Sequence, residues 1–131
     1  MMPDLSLAPQ ALQRLAERLA DGGSPLQVHS FDSPSNQQLR AQAPRGTVQV
    51  LADRGQWFVE LAPPGASEFF DTAVWGACLT RTEVSVDPMP LDAQAAWLEE
   101  FLSGGVQGDY TLDCLLEARR RRAYGRMGLT P

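Results

Sequence analysis

Residues 46–79, GTVQVLADRGQWFVELAPPGASEFFDTAVWGACL, constrain the fold more than any other stretch. Thr47, Val48, Val50 and Leu51 form one β-rich run and Trp57, Phe58, Val59 and Leu61 another; Asp53, Arg54 and Gly55 between them predict a hairpin. Pro63, Pro64 and Gly65 stop the second strand, because proline donates no ladder hydrogen bond and glycine frees the chain to turn. Val48, Val50, Trp57, Val59 and Leu61 are candidates for the inner face, with Trp57 and Val59 on the opposite pleat from Phe58 and Glu60. Asp71 is placed to cap a helix over residues 72–79, where Val74, Trp75, Cys78 and Leu79 make an apolar stripe.

The rest of the chain supplies elements to pack on this hairpin. Residues 9–21 set Leu12, Leu15, Ala16 and Leu19 at helical spacing opposite Arg14, Glu17 and Arg18. Pro9 suits a first helical position and Gly22-Gly23 a stop. A strand is expected over residues 26–31, where Leu26 and Val28 alternate with Gln27, His29 and Phe31; the period leaves open which set faces inward. Residues 32–45 are polar, contain two prolines and keep no sustained period, so they read as a mobile loop with a short extended piece near Leu39. A short extended segment at residues 83–87 carries Val84 and Val86.

Two further helices follow. Leu91, Ala95, Leu98 and Leu102 lie on one face of residues 91–102, flanked by Trp97 and Phe101, and Gly104-Gly105 end it. The last helix starts near Thr111 as a cap, has Asp113 in its first turn, points Leu112, Leu115, Leu116 and Ala123 inward, and can close at Gly125. The expected architecture is a single α+β domain over residues 1–131, with a small antiparallel sheet of three to four strands covered by about four helices.

Size and composition narrow the setting. A chain of 131 residues can bury a core of its own without a metal or disulfide. No apolar run reaches the roughly 20 residues of a membrane helix, and Met1-Met2-Pro3-Asp4 lacks the basic and apolar regions of a signal peptide, so the expectation is cytoplasmic. Cys78 and Cys114 sit among apolar residues of helices and read as buried free thiols rather than as a disulfide or redox pair.

The net charge of −5 hides a sharper asymmetry. Residues 53–117 hold twelve acids against Arg54 and Arg81, whereas Arg119, Arg120, Arg121, Arg122 and Arg126 crowd the last helix. So acidic a centre repels nucleic acid and anionic membrane and attracts basic partners. The arginine tract has no interleaved aromatics; it complements the helix dipole and forms salt bridges with the protein's own acids.

Signals for chemistry are sparse. His29 is the only histidine and reads as a structural strand residue; with two distant cysteines it offers no metal-ligand spacing. Neither cysteine has the adjacent cation that would make it a reactive thiolate. No glycine-rich phosphate loop precedes a helix, and no cofactor is implied. Glu60, Glu68 and Asp71 offer carboxylates for a small hydrolase, but read first as a solvated rim plus a helix cap. Phe69 and Phe70 between Glu68 and Asp71 have the composition of a protein contact patch, an apolar anchor with a charged rim; the alternative is that one of the pair folds inward as a staple.

The stretch WFVELAPPGASEFFDTAVWGACL with the downstream PLDAQAAWLEEFL, within residues 46–102, resembles small α+β immunity proteins of bacterial polymorphic toxin systems. The features that carry the likeness are the aromatic pair Trp57 and Phe58, the acidic aromatic loop Glu68, Phe69, Phe70 and Asp71, and the Trp-bearing helix. The resemblance implies a cytoplasmic protein, not an enzyme, that binds a cognate toxin and occludes its active or substrate site. Glu60, Glu68, Asp71, Glu83 and Asp87 are then expected to steer and pair with a basic partner, with Phe69 or Phe70 as anchor. An acidic secretion chaperone, usually a dimer, is the second expectation; the oligomeric state stays open.

Overall fold

Two tight turns fix the sheet. The computed structural model describes residue 5 and residues 8–33, 36–85, 89–106 and 108–128. Helix α1 (Gln10–Asp21) leads into β1 (Gln27–Ser33), β2 (Asn36–Ala43), β3 (Gly46–Asp53), β4 (Gln56–Ala62) and β5 (Phe70–Asp71), followed by α2 (Thr72–Thr80), α3 (Leu91–Leu102) and α4 (Leu112–Arg126). The five strands form one sheet in chain order, every neighbour antiparallel. At the β3–β4 turn Arg54 and Gly55 both take positive φ, 52° and 82°, the hand that matches strand twist. At the start of β3 a Cβ on Gly46 would lie 2.3 Å from the Ala62 carbonyl oxygen, so only glycine fits.

The α+β class and the helices agree with the sequence reading, but the sheet has five strands rather than three to four. Residues 36–43 and Phe70–Asp71 are the reason, since they form β2 and β5 where loops were expected. Leu39 and Ala41 alternate inward while Gln38, Arg40 and Gln42 face out, a period of two diluted by glutamines that suit a solvated face as well as a loop. Residues 83–85 form no strand, and Val86 and Asp87 lie outside the described residues.

The helices cover one face of the sheet. Rows Val28, Leu39, Val50, Val59 and Ala41, Val48, Leu61, Phe70 run across the strands on the core side. Against them pack Leu12, Leu15, Leu19, Val74, Trp75, Ala95, Leu98, Phe101 and Leu115. Trp57, expected inside, is half-buried. Leu112 and Ala123, also expected inside, are exposed, and Arg122 takes the inward position on α4. Beside short β5, the edge of β4 is closed by side chains. The Val59 N–H donates to Gln94 Oε1 at 3.1 Å, and Trp75 Nε1 donates to the Leu61 carbonyl at 2.8 Å. An edge whose groups are filled in this way offers no template to another strand.

The cysteines overturn the free-thiol expectation. Cys78 on α2 and Cys114 on α4 are joined as a disulfide, their Cα atoms 5.9 Å apart and 36 residues apart in the chain. Each sits in an apolar helix face that reads as core, and only the packing of α2 on α4 brings them together. In the chain-entropy picture, closing a loop of that length contributes roughly 4 kcal/mol.

Gln94→Leu removes the partner of a buried N–H on β4. It should cost about 1–3 kcal/mol in urea unfolding, whereas Gln56→Leu at the exposed strand end should shift stability by less than about 0.5 kcal/mol.

Candidate functional site

Opposite the helices, a polar row crosses every strand. Gln27, Arg40, Gln49, Glu60 and Asp71 are register partners from β1 to β5, so their side chains share the outer face. Arg40 Nε donates to Gln49 Oε1 at 2.8 Å, and Gln49 Nε2 donates to Glu60 Oε1 at 2.8 Å. Gln49 is only 6 % exposed although it lies on the outer face. Its amide can bridge a guanidinium and a carboxylate because it accepts at one end and donates at the other.

At the end of the row the chain turns into α2. Asp71 Oδ1 accepts the Val74 N–H at 2.9 Å and caps the helix as expected. Asp71 Oδ2 forms an ion pair with Arg122 Nη1, whose side chain is 4 % exposed. Burial pulls the Arg122 guanidinium below its ordinary range, and the like charge of Arg126 pulls the same way. Beside this pair Arg119 Nη2 meets Glu68 Oε2 at 3.4 Å, with both side chains about half exposed, and the Arg119 guanidinium lies 4.9 Å from the centre of the Phe70 ring.

The two phenylalanines therefore part. Phe70 is 1 % exposed and belongs to the core beside Leu61, so it is the inward staple and no surface anchor. Phe69 stays half-buried on the outer side, where Arg40 stacks 4.7 Å from its ring centre. Of the residues singled out from sequence, Glu60, Glu68, Phe69 and Asp71 meet at the β4–β5–α2 junction. Glu83 lies beyond the other end of α2, about 13 Å of helix away. Asp87 lies outside the described residues.

Arginines are what the sequence reading placed least well. It expected the tract to bridge the protein's own acids, and Arg119, Arg120, Arg121 and Arg122 do so through Glu68, Glu117 and Asp71. What it missed is that two of those acids are the proposed contact residues. The spacing of Arg119 and Arg122, i and i+3 on one helix, was the available signal. Arg40 gave none, because residues 32–45 carry no strand period, and Gln49, although inside the expected hairpin strand, is a neutral amide with nothing in its spacing to mark it as a bridge.

His29 is an exposed residue of β1, and among the described residues no cluster of His, Cys, Asp and Glu is suited to a metal ion. The concavities beside α4, at the β1–β2 face and between α1 and α3 are lined by none of Glu60, Glu68 and Asp71. No helix among the described residues is long and apolar enough to cross a membrane. Fold and junction together define a small α+β domain with one helix-covered sheet and an aromatic corner whose carboxylates Glu60, Glu68 and Asp71 are met by Arg40, Arg119 and Arg122, the first through Gln49. No protein-family model, curated protein or solved structure matches the chain.

The two arginine pairs differ in burial, so their removal should differ in cost. Asp71→Ala removes the carboxylate that meets the buried Arg122 guanidinium together with the cap of α2, and should destabilise by about 3–5 kcal/mol. Arg119→Ala should cost about 1 kcal/mol or less, both read by thermal unfolding. Hydrogen bonds from Arg120 and Arg121 lower the Glu117 carboxyl from its ordinary 4.5 to about 2. A depressed acid contributes its stabilisation above the ordinary value and loses it as pH falls through the lowered one. An NMR titration should therefore place the Glu117 midpoint at about 2, moving back toward 4.5 in the Arg120→Ala, Arg121→Ala variant.

Proposed function

We propose that this is a non-catalytic binding protein of the immunity type, which neutralises a basic, toxin-like partner by covering its active or substrate site. The observation that carries this reading is the β5 corner, where exposed Glu68 adjoins a half-buried Phe69 stacked under Arg40. Phe69 presents a ring between Glu68 and Asp71, and Glu60 lies beside them in the row. An aromatic anchor inside a carboxylate rim fits a partner rich in arginine or lysine.

The arginine tail modifies how such a corner would work. Glu68 is held only by an exposed pair, which contributes about 1 kcal/mol or less, so an incoming cation can take the place of Arg119 at small cost. Asp71 is committed to its cap and to Arg122, and acts by fixing the corner. Glu83 contributes only to the longer-range field, a role the reading also gives Asp87. The compartment proposed is the cytoplasm, where the Cys78–Cys114 disulfide would be transient and responsive to redox state rather than permanent. The rival chaperone reading draws on a groove of about 360 Å³ walled by Leu15, Leu19 and Leu102, which would hold an apolar segment instead of a cation.

Glu60→Lys with Glu68→Lys should weaken capture of a basic partner from the protein's own lysate at least tenfold at low salt, and Phe69→Ala should weaken it at any salt. The melting temperature should stay within a few degrees of the parent. Capture unchanged by charge reversal, or lost on filling the Leu15–Leu102 groove, would reject this contact face.

A further inference from the structure

Helix α4 is thinly attached. Leu115 is its only fully buried apolar side chain, Cys114, Leu116 and Ala118 are half-buried, and Leu112 is 44 % exposed. Its helical neighbour is α2, and the connection from α3 passes through Gly104 and Gly108, both at positive φ. Its further fastenings include the Cys78–Cys114 bond, the Arg119–Glu68 and Arg122–Asp71 pairs and the contact of Arg119 with the Phe70 ring. The remaining core, from α1 through α3 and the sheet, is continuous without it.

The bond is also open to attack. A groove of about 400 Å³ runs along the seam between α2 and α4, and both cysteines line it, with Ala77, Tyr110, Arg81 and Arg121. Cys78 is 3 % exposed and Cys114 half-buried, so Cys114 is the more exposed residue of the two and the side from which the groove meets the bond. Arg81 and Arg121 on the wall are matched by Asp109 and Glu117, with Arg121 paired to Glu117 at 3.1 Å, so access along the groove rather than its charge is what admits a thiol.

We propose that α4 is a redox-released latch over Glu68 and Asp71. A small-molecule or protein thiolate attacks Cys114 Sγ and forms a mixed disulfide; the bond to Cys78 breaks, and Cys78 leaves as a thiolate that takes up a proton. A second thiolate attacks the sulfur of the reagent in that mixed disulfide and frees Cys114 as a thiol. Two thiols are oxidised to one disulfide, and two electrons and two protons pass to the protein. Without the tether, α4 departs with Arg119 and Arg122, and the two carboxylates lose their guanidinium partners while Asp71 keeps the Val74 amide. That the uncovered acids then grip a basic partner more tightly rests on the function proposed above.

Hydrogen exchange by mass spectrometry on the full chain tests the latch. With dithiothreitol, amides of residues 112–126 should exchange at least tenfold faster while those of β3 and β4 keep their protection, and trypsin should cut first among Arg119–Arg122. The Cys78→Ser, Cys114→Ser variant should show the same pattern without reductant. Unchanged protection of α4 on reduction overturns the proposal. So does loss of protection throughout the chain, because the bond would then staple the whole domain. Opening of α4 with no gain in capture of a basic partner overturns the functional reading and leaves the latch standing.

Discussion

Asp71 is where the sheet, the cap of α2 and the last helix meet. Its backbone pairs with Glu60 to make β5, one carboxylate oxygen holds the Val74 amide, and the other holds Arg122. A carboxylate shared between a helix N-terminus and a guanidinium is stabilised from both sides, since the amides and the cation each favour the charged form. That carboxylate offsets part of the cost of burying Arg122. A guanidinium taken out of water costs several kcal/mol unless a partner meets it, and α4 supplies no acid of its own at that depth.

The same residue ends the polar row, and the row explains how a sheet can carry charge on one face without losing register. On the core side Val, Leu and Phe partners would clash with polar neighbours on a one-residue slip. On the outer side Gln49 connects Arg40 to Glu60, so the slip would also break two side-chain hydrogen bonds. Opposite faces thus specify one pairing by different physics, apolar burial below and donor–acceptor matching above.

How much of this is legible from residues alone follows the same division. The hairpin around Arg54-Gly55, the Asp71 cap and the span of α3 were readable, because each depends on a few consecutive residues with fixed chemistry. Strand β2 was not, since its polar face is written in glutamines that carry no strand preference. The disulfide and the Arg122–Asp71 pair were hidden for another reason. Both join residues about 36 to 51 apart through the docking of α4, and no local pattern reports where a helix docks. Phe70 falls between these cases: the staple reading was available, and the pairing of β5 with β4 selects it over its neighbour.

Burial then decides how α4 can move. Arg119 pairs at the surface and can exchange its partner one side chain at a time, whereas Arg122 cannot leave Asp71 without exposing or stranding a charge. Separation at Arg122 is therefore favourable only when the whole helix turns outward and water reaches both groups together. Leu115 opposes that movement by its apolar burial, and the Cys78–Cys114 bond opposes it covalently. One buried leucine is worth about 2–3 kcal/mol, less than the roughly 4 kcal/mol that the closed loop contributes, so the covalent fastening outweighs the apolar one and stands beside the Arg122–Asp71 pair at the cap of α2.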